Sequence, residues 1–141
     1  INTERTTRAL APLVADPLLQ RYAQAHANHL AATGSFAHQN LMPILNASGG
    51  RFGQAGENLF SAAGAGATDA GTAHDALMRS PTHRANILLP EERFVGVGVA
   101  CAGGRMVVVQ DFASPMGVTL QSHPTPPLQP RAAPSLSGAR C

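Results

Sequence analysis

Three short islands of this chain carry residue types that can hold a cation or move a proton. They are Phe36-Ala37-His38, Gly56-Glu57-Asn58-Leu59 and Ser80-Pro81-Thr82-His83-Arg84-Ala85-Asn86-Ile87-Leu88. His38 follows a helix end, where an imidazole serves as a metal ligand or general base, or else hydrogen-bonds to nearby loop backbone. Glu57 lies beside Gly56, whose lack of a side chain permits close packing, so the carboxylate can be buried against a histidine. The alternative is a solvated turn carboxylate. His83 is the third residue of a helix starting after Ser80. There the positive end of the helix dipole disfavours imidazolium and leaves the neutral form that binds a divalent metal or accepts a proton. Its alternative role is to complete a cap.

No nucleophile accompanies them. The chain has no Gly-x-Ser-x-Gly, no cysteine beside a histidine motif and no lysine. Ser61 reads as a strand-end residue and Ser80 as a helix N-cap whose hydroxyl is already engaged. His26 falls on the apolar stripe of its helix and reads as a core histidine, while His29 falls off it onto the surface. His74 and His123 have no partner that the sequence identifies. Arg51 and Arg84 flank the islands, positioned to pair with Glu57 or Asp111 or to face solvent.

These residues need a scaffold, and capping signals outline one. Asn2 caps a first helix through about Ala11, with Glu4 in its first turn. Asp16-Pro17 opens a second helix, with Leu19, Tyr22, Ala23, His26, Ala27 and Leu30 on one face and Gly34 as its stop. Residues 35–56 read as loop, punctuated by Asn46-Ala47-Ser48-Gly49-Gly50. Gly56–Phe60 enters a short strand or turn, and 61–68 is a small, Gly/Ala-rich run. Asp69 caps a helix through about Arg79, and Ser80-Pro81 starts another. Val95–Ala100 and Met106–Phe112 form a hairpin. Val95, Val97 and Val99 point one way, and Gly96 and Gly98 leave the opposite face bare for a close neighbour. From about Gln121 prolines at 124, 126, 127, 130 and 134 predict a polyproline-like or disordered tail.

At 141 residues the chain makes one domain with a real core. Its net charge of +2 comes from 10 arginines against 8 acids. There is no basic run and few aromatics, which excludes nucleic acid as a partner. No stretch approaches the roughly 18 apolar residues of a membrane span. The chain opens at Ile1, as after removal of a leader. Cys101 and Cys141 are an even pair. In an exported protein they would join, closing a loop worth roughly 4 kcal/mol on the chain-entropy model; otherwise they are two free thiols.

The order of the islands, continuing into Val95-Gly96-Val97-Gly98-Val99 and Val107-Val108-Val109-Gln110-Asp111-Phe112, resembles the bacterial branch of the CAP (SCP, or cysteine-rich secretory/pathogenesis-related-1) superfamily over residues 1–115. The resemblance implies a three-layer α/β/α sandwich with a small antiparallel sheet over residues 1–120, followed by a proline-rich tail, 121–141, tied back if Cys101 pairs with Cys141. It implies a secreted or cell-envelope protein. It aligns His38, Glu57 and His83 with three of the family's four cleft residues, with Ser80 where the second glutamate stands and Leu77 where a tryptophan is usual. Asn58 and Ser80 then border the cleft. A His38–Glu57–His83 set suits a divalent cation, zinc foremost. Three functions follow: a binding protein with an adjacent apolar groove for a lipid or small ligand; a metal-assisted hydrolase with Glu57 as general base; or a structural domain with a vestigial cleft.

Overall fold

The computed structural model describes residues 1–64, 69–129 and 141. The end of the Gly/Ala-rich run at 65–68 and the tail segment 130–140, where polyproline-like or disordered chain is expected, lie outside the described residues. The elements are α1 (Asn2–Thr6), β1 (Val14–Ala15), α2 (Pro17–Thr33), α3 (Met42–Ala47), β2 (Phe52–Ala63), α4 (Ala70–Arg79), α5 (Pro81–Ile87), β3 (Phe94–Ala102) and β4 (Arg105–Pro115). The strands form one sheet in the order β1-β3-β4-β2. β4 is central and antiparallel to both neighbours, and the two-residue β1 joins the far edge of β3 in parallel.

α2 covers one face. Asp16 Oδ1 accepts from the amides of Leu18 (2.8 Å) and Leu19 (3.2 Å), Pro17 occupies the first turn, and Gly34 ends the helix at a φ of 72°. These are the expected start and stop signals. The buried stripe is Leu18, Leu19, Ala23, Ala27 and Leu30. It lies directly on the bare face of β3, where a Cβ at Gly96 would collide with the Leu19 backbone and one at Gly98 with the Ala23 carbonyl. The helix also closes the open edge of β3. The side-chain amide of Gln20 exchanges two hydrogen bonds with Val97 (2.5 and 3.1 Å), and that of Gln24 does the same with Val99 (2.7 and 3.1 Å). Two glutamines one helical turn apart thus continue the short β1 ladder and leave that edge unavailable to another strand.

α4 and α5 cover the opposite face. Leu77, Met78, Ile87 and Leu88 pack on Phe112, and Ala73 packs on Met106 and Val108. The helices therefore sandwich the sheet in three layers, α/β/α. β4, with nine consecutive buried residues from Met106 to Ser114, faces both cores.

Three local expectations are corrected. α1 stops at Thr6 instead of running to about Ala11. Asn2 does not cap it; its amide instead exchanges hydrogen bonds with both backbone groups of Leu13 (3.0 and 2.9 Å). The chain must turn back because Arg5, fully buried, donates to the carbonyls of Ala11, Ile87, Leu89 and Glu92. Residues 35–56 are not all loop: α3 seats Ile44 in the core, and β2 begins at Phe52. That strand is rich in Gly, Gln, Glu and Asn, which have weak strand preference, and it is held by its pairing with β4 along almost its whole length. Ser80 precedes α5, but its hydroxyl meets that of Thr82 (3.2 Å) rather than a backbone amide.

Candidate functional site

β2 and β4 set the heart of the site. Their register puts Glu57 directly opposite Asp111, on the face covered by α2. Both are buried, Asp111 completely. Burial foremost, and then the facing charge of Glu57, push the Asp111 carboxyl up to about 8. At neutral pH Asp111 is therefore the protonated partner and hydrogen-bonds to Glu57. The Gln39 side-chain amide bridges the pair, donating to Glu57 Oε2 (2.8 Å) and to both oxygens of Asp111 (3.1 and 3.0 Å). The Gln39 backbone amide donates to Glu57 Oε1 at 3.2 Å.

His38 joins this pair, its Nδ1 lying 2.6 Å from Glu57 Oε1. A carboxylate on Nδ1 fixes the tautomer with Nε2 as the acceptor or ligand nitrogen. The His38 side chain is 63% exposed while that of Glu57 is 2% exposed, so the imidazole is the part of the pair that solvent reaches. The loop carrying His38 is held from α2 by His26, whose Nε2 meets the Ala37 carbonyl at 2.9 Å and stands 3.8 Å from Glu57 Oε2. His26 is thus satisfied by backbone and also belongs to the site. His29, on the surface side, stacks on it with ring centroids 6.4 Å apart.

Asn58 connects the other face. Fully buried, it donates to the His83 carbonyl (3.0 Å) and to Gln110 Oε1 (3.2 Å), and accepts from the Asn86 amide (2.9 Å). This clamps α5, and with it His83, against β2. The His83 imidazole is held below its ordinary range by burial first and by the neighbouring His38 second. Gly56 departs from expectation: nothing lies within 4 Å of where its Cβ would be, so it is not what lets Glu57 pack closely.

The donor set fits a divalent cation only in part. Among the described residues no three His, Cys, Asp or Glu side chains gather as a metal-binding group. Both Glu57 oxygens already engage protein donors, so Glu57 stands behind His38 as its orienting carboxylate.

The flanking arginines go elsewhere. Arg51 pairs with Asp16 at 2.7 Å, and Arg84 donates to the Met78 carbonyl and to Pro126 O (both 2.7 Å). Ser61 accepts from Arg105 Nε at 2.5 Å. His74 lies 3.8 Å from Glu4 Oε1, and His123 lies 2.7 Å from Glu91 Oε1. Cys101 and Cys141 are joined, with their Cα atoms 5.6 Å apart. Leu77, fully buried, helps line an apolar groove of about 210 Å³ between α4 and the sheet, with Ala73, Val97, Val99, Met106 and Val108. Gln110, which accepts from Asn58, also borders this groove.

Asp111 and Gln39 are the site residues that sequence reading missed as a pair. A signal existed for Asp111: Gln110-Asp111 interrupts an otherwise apolar strand, Val107-Val108-Val109 to Phe112-Ala113. Polar residues in the middle of a central strand need partners, and the facing strand supplies Glu57 and Asn58.

The sequence model of CAP, the cysteine-rich secretory protein family, matches residues 1–112. No curated protein matches the sequence closely. Among solved structures, an extracellular protein containing an SCP domain from Bacillus anthracis is 26% identical, with a TM-score of 0.67 over 80% of this chain and 37% of that one. An outer surface protein of Borrelia burgdorferi is 18% identical, with a TM-score of 0.68 over 81% of this chain and 86% of that one. A cysteine-rich secretory protein from Staphylococcus aureus is 22% identical, with a TM-score of 0.62 over 80% of this chain and 35% of that one. The chain thus spans little more than a third of the Bacillus and Staphylococcus proteins that it resembles.

Proposed function

This chain belongs to the cysteine-rich secretory protein (CAP) family, and from that premise we propose that it is an extracellular or cell-envelope binding domain, not an enzyme. Its ligands would meet the solvent-facing His38 imidazole and, through the Asn58–Gln110 contact, the apolar groove under α4. The observation that carries this reading is the state of Glu57. Both its oxygens accept from protein donors, and its side chain is 2% exposed. A general base must reach the proton that it takes, and Glu57 is shut away behind His38. The same arrangement suits a binding histidine, because the carboxylate holds the ring in one tautomer and one orientation. The extracellular setting rests on family membership, on the described locations of the Bacillus and Borrelia proteins and on the joined cysteines. The groove, with eight apolar residues and about 210 Å³, suits a narrow apolar chain such as part of a lipid.

A cation, if taken, would be held by His38 and His83, with Glu57 orienting the first. Two imidazoles fall short of the three protein ligands of a catalytic zinc site, so the expected affinity is weak and no chemical step is built on it. Calorimetric titration of zinc into the metal-stripped protein tests this, beside His38→Ala and His83→Ala. Weak one-site binding lost in both variants supports the reading. Binding indifferent to both substitutions, or strong hydrolysis of a peptide substrate that Glu57→Gln abolishes, overturns it.

A further inference from the structure

We propose that the end of the sandwich where β3 begins rests on an anionic membrane surface, with Val14 and Met116 entering the headgroup layer and Arg21 and Arg93 meeting the lipid phosphates. The observation behind it is a segregation of charge. All eight Asp and Glu side chains are buried or half-buried, and none is exposed. Glu4 meets Arg8, Asp16 meets Arg51 and Glu91 meets His123. Among the described residues four arginines are exposed, at 21, 51, 79 and 93. The surface therefore presents cations without carboxylates between them, which makes it attractive to anions at long range.

Three of those arginines gather at one end of the sheet, with exposed apolar side chains beside them. β2 and β3 begin at this end, β4 finishes there, and α2 starts from it. Arg93 and Arg51 directly precede Phe94 and Phe52, whose ring centroids lie 5.3 Å apart. The Val14 amide donates to the Arg93 carbonyl (2.8 Å), and the Met116 amide donates to the Arg51 carbonyl (2.9 Å). Each apolar residue is thus fixed beside an arginine. Val14 is 60% exposed and Met116 59%. Arg21 stands in the second turn of α2. A lone exposed apolar residue is ordinary. Two of them, each tied to an arginine on a rim without exposed acids, form an amphipathic surface.

Charge decides what covers this rim. Arg51 is balanced by Asp16, but Arg21 and Arg93 make no ion pair among the described residues. The Arg93 guanidinium donates only to the Pro90 and Glu92 carbonyls, which leave its charge uncompensated. A second copy seated on the same rim would bring arginine against arginine. An anionic bilayer supplies phosphates to the arginines and an apolar layer to the side chains between them, and it needs no shaped groove. Such a domain lies on the membrane and does not span it. No helix among the described residues is long and apolar enough to cross one. The rim also shares no residue with the His38–Glu57 pair.

The test uses the intact chain and vesicles made either of phosphatidylcholine alone or of equal parts phosphatidylcholine and phosphatidylglycerol. Co-sedimentation is expected with the mixed vesicles only, and it should be lost as ionic strength rises from about 0.15 to about 1 M. Arg21→Gln and Arg93→Gln should each weaken binding roughly fivefold. Arg79→Gln makes the same change in net charge away from the rim and should alter binding by less than about twofold. Arg21→Gln carries the test if Arg93→Gln does not fold. The chain has no tryptophan, so Met116→Trp adds a single reporter whose emission should shift to the blue with the mixed vesicles. The proposal is overturned if the chain binds neither vesicle or both alike, if Arg79→Gln weakens binding as much as the rim variants, or if the Trp emission does not move. It is also overturned if polygalacturonate, a soluble acidic polymer, binds as tightly as the mixed vesicles.

Discussion

Glu57 stands directly opposite Asp111 across the β2–β4 ladder, and one amide, that of Gln39, donates to both. Two carboxyl groups this close and this buried hold one proton between them near neutrality. The arrangement makes stability depend on pH in a direction opposite to that of a carboxylate in an ion pair. Asp111 titrates near 3.8 when unfolded and at about 8 when folded. Between those values the folded state binds the extra proton, so the contribution is complete below pH 4 and is lost as pH rises through 8. Glu92, raised to about 7 chiefly by burial, acts with the same sign over a narrower window. Thermal unfolding at pH 5 to 8 is expected to show stability falling by up to about 1.4 kcal/mol per pH unit for each such proton. Asp111→Asn keeps a neutral group opposite Glu57 and should flatten most of that slope, leaving the part due to Glu92. An unchanged slope in the variant would mean that Asp111 is ionised in the fold.

Below that window the sign reverses. Asp16 is held low by its hydrogen bonds to Arg51 and to the Leu18 and Leu19 amides, which outweigh its burial. Its contribution is present above the unfolded value and is lost as pH falls through the folded one. Asp16→Ala is expected to cost about 1 kcal/mol at pH 7, with the penalty shrinking in acid. Denaturant titrations of the variant and parent at pH 7 and pH 3 compare the two.

Asn58 is expected to behave as a structural clamp with a local readout. Asn58→Ala leaves Gln110 and Asn86 without a shared partner and should cost about 1–3 kcal/mol. The loss should centre on α5, so that amide exchange in residues 82–87 accelerates more than in α2. Uniform acceleration across the domain would show that α5 is not separately held.

Two glycine substitutions should give opposite results. Gly98→Ala drives a methyl group into the Ala23 carbonyl of α2 and is expected to cost about 3 kcal/mol or more. Gly56→Ala meets nothing within 4 Å and should be neutral to within about 1 kcal/mol. Melting temperatures of the two variants decide the matter, and a large loss at Gly56 would contradict the open space at that position.

The glutamine caps predict a solubility effect. Gln20→Ala with Gln24→Ala frees the amides and carbonyls of Val97 and Val99 on an edge otherwise covered for only two residues by β1. Self-association seen by light scattering is expected to rise, since an unpaired edge recruits another strand. A monodisperse double variant would show that α2 shields the edge without its amides.

The legible and illegible parts of this protein divide along physical lines. α2, α4 and the hairpin were readable because Asp16-Pro17, Gly34, Asp69 and the Val-Gly alternation act within a few residues of themselves. β2 was only half readable, since nothing local makes Gly53-Gln54-Ala55-Gly56-Glu57-Asn58 a strand; its partner β4 does. α1 ended early because Arg5 answers to carbonyls more than eighty residues away. The His38 and Glu57 islands could be named from motif, but the Gln39 bridge and the facing Asp111 depend on strand register. The choice of Asp16 rather than Glu57 as the partner of Arg51 is likewise tertiary.

The bond between Cys101 and Cys141 changes how the domain would take mechanical tension. Cys101 lies at the end of β3 and Cys141 is 40 residues further along the chain, so β4 and the segment after it form part of a closed covalent ring. Tension applied at residue 141 would enter the sheet through the β3 end of the hairpin instead of being drawn through residues 121–129. The contacts of His123 with Glu91 and of Pro126 with Arg84 would then be shielded from stretching, while the β3–β4 hairpin would bear the pull. Breaking the bond would reverse that order, with Pro126 and His123 detaching before any strand separated.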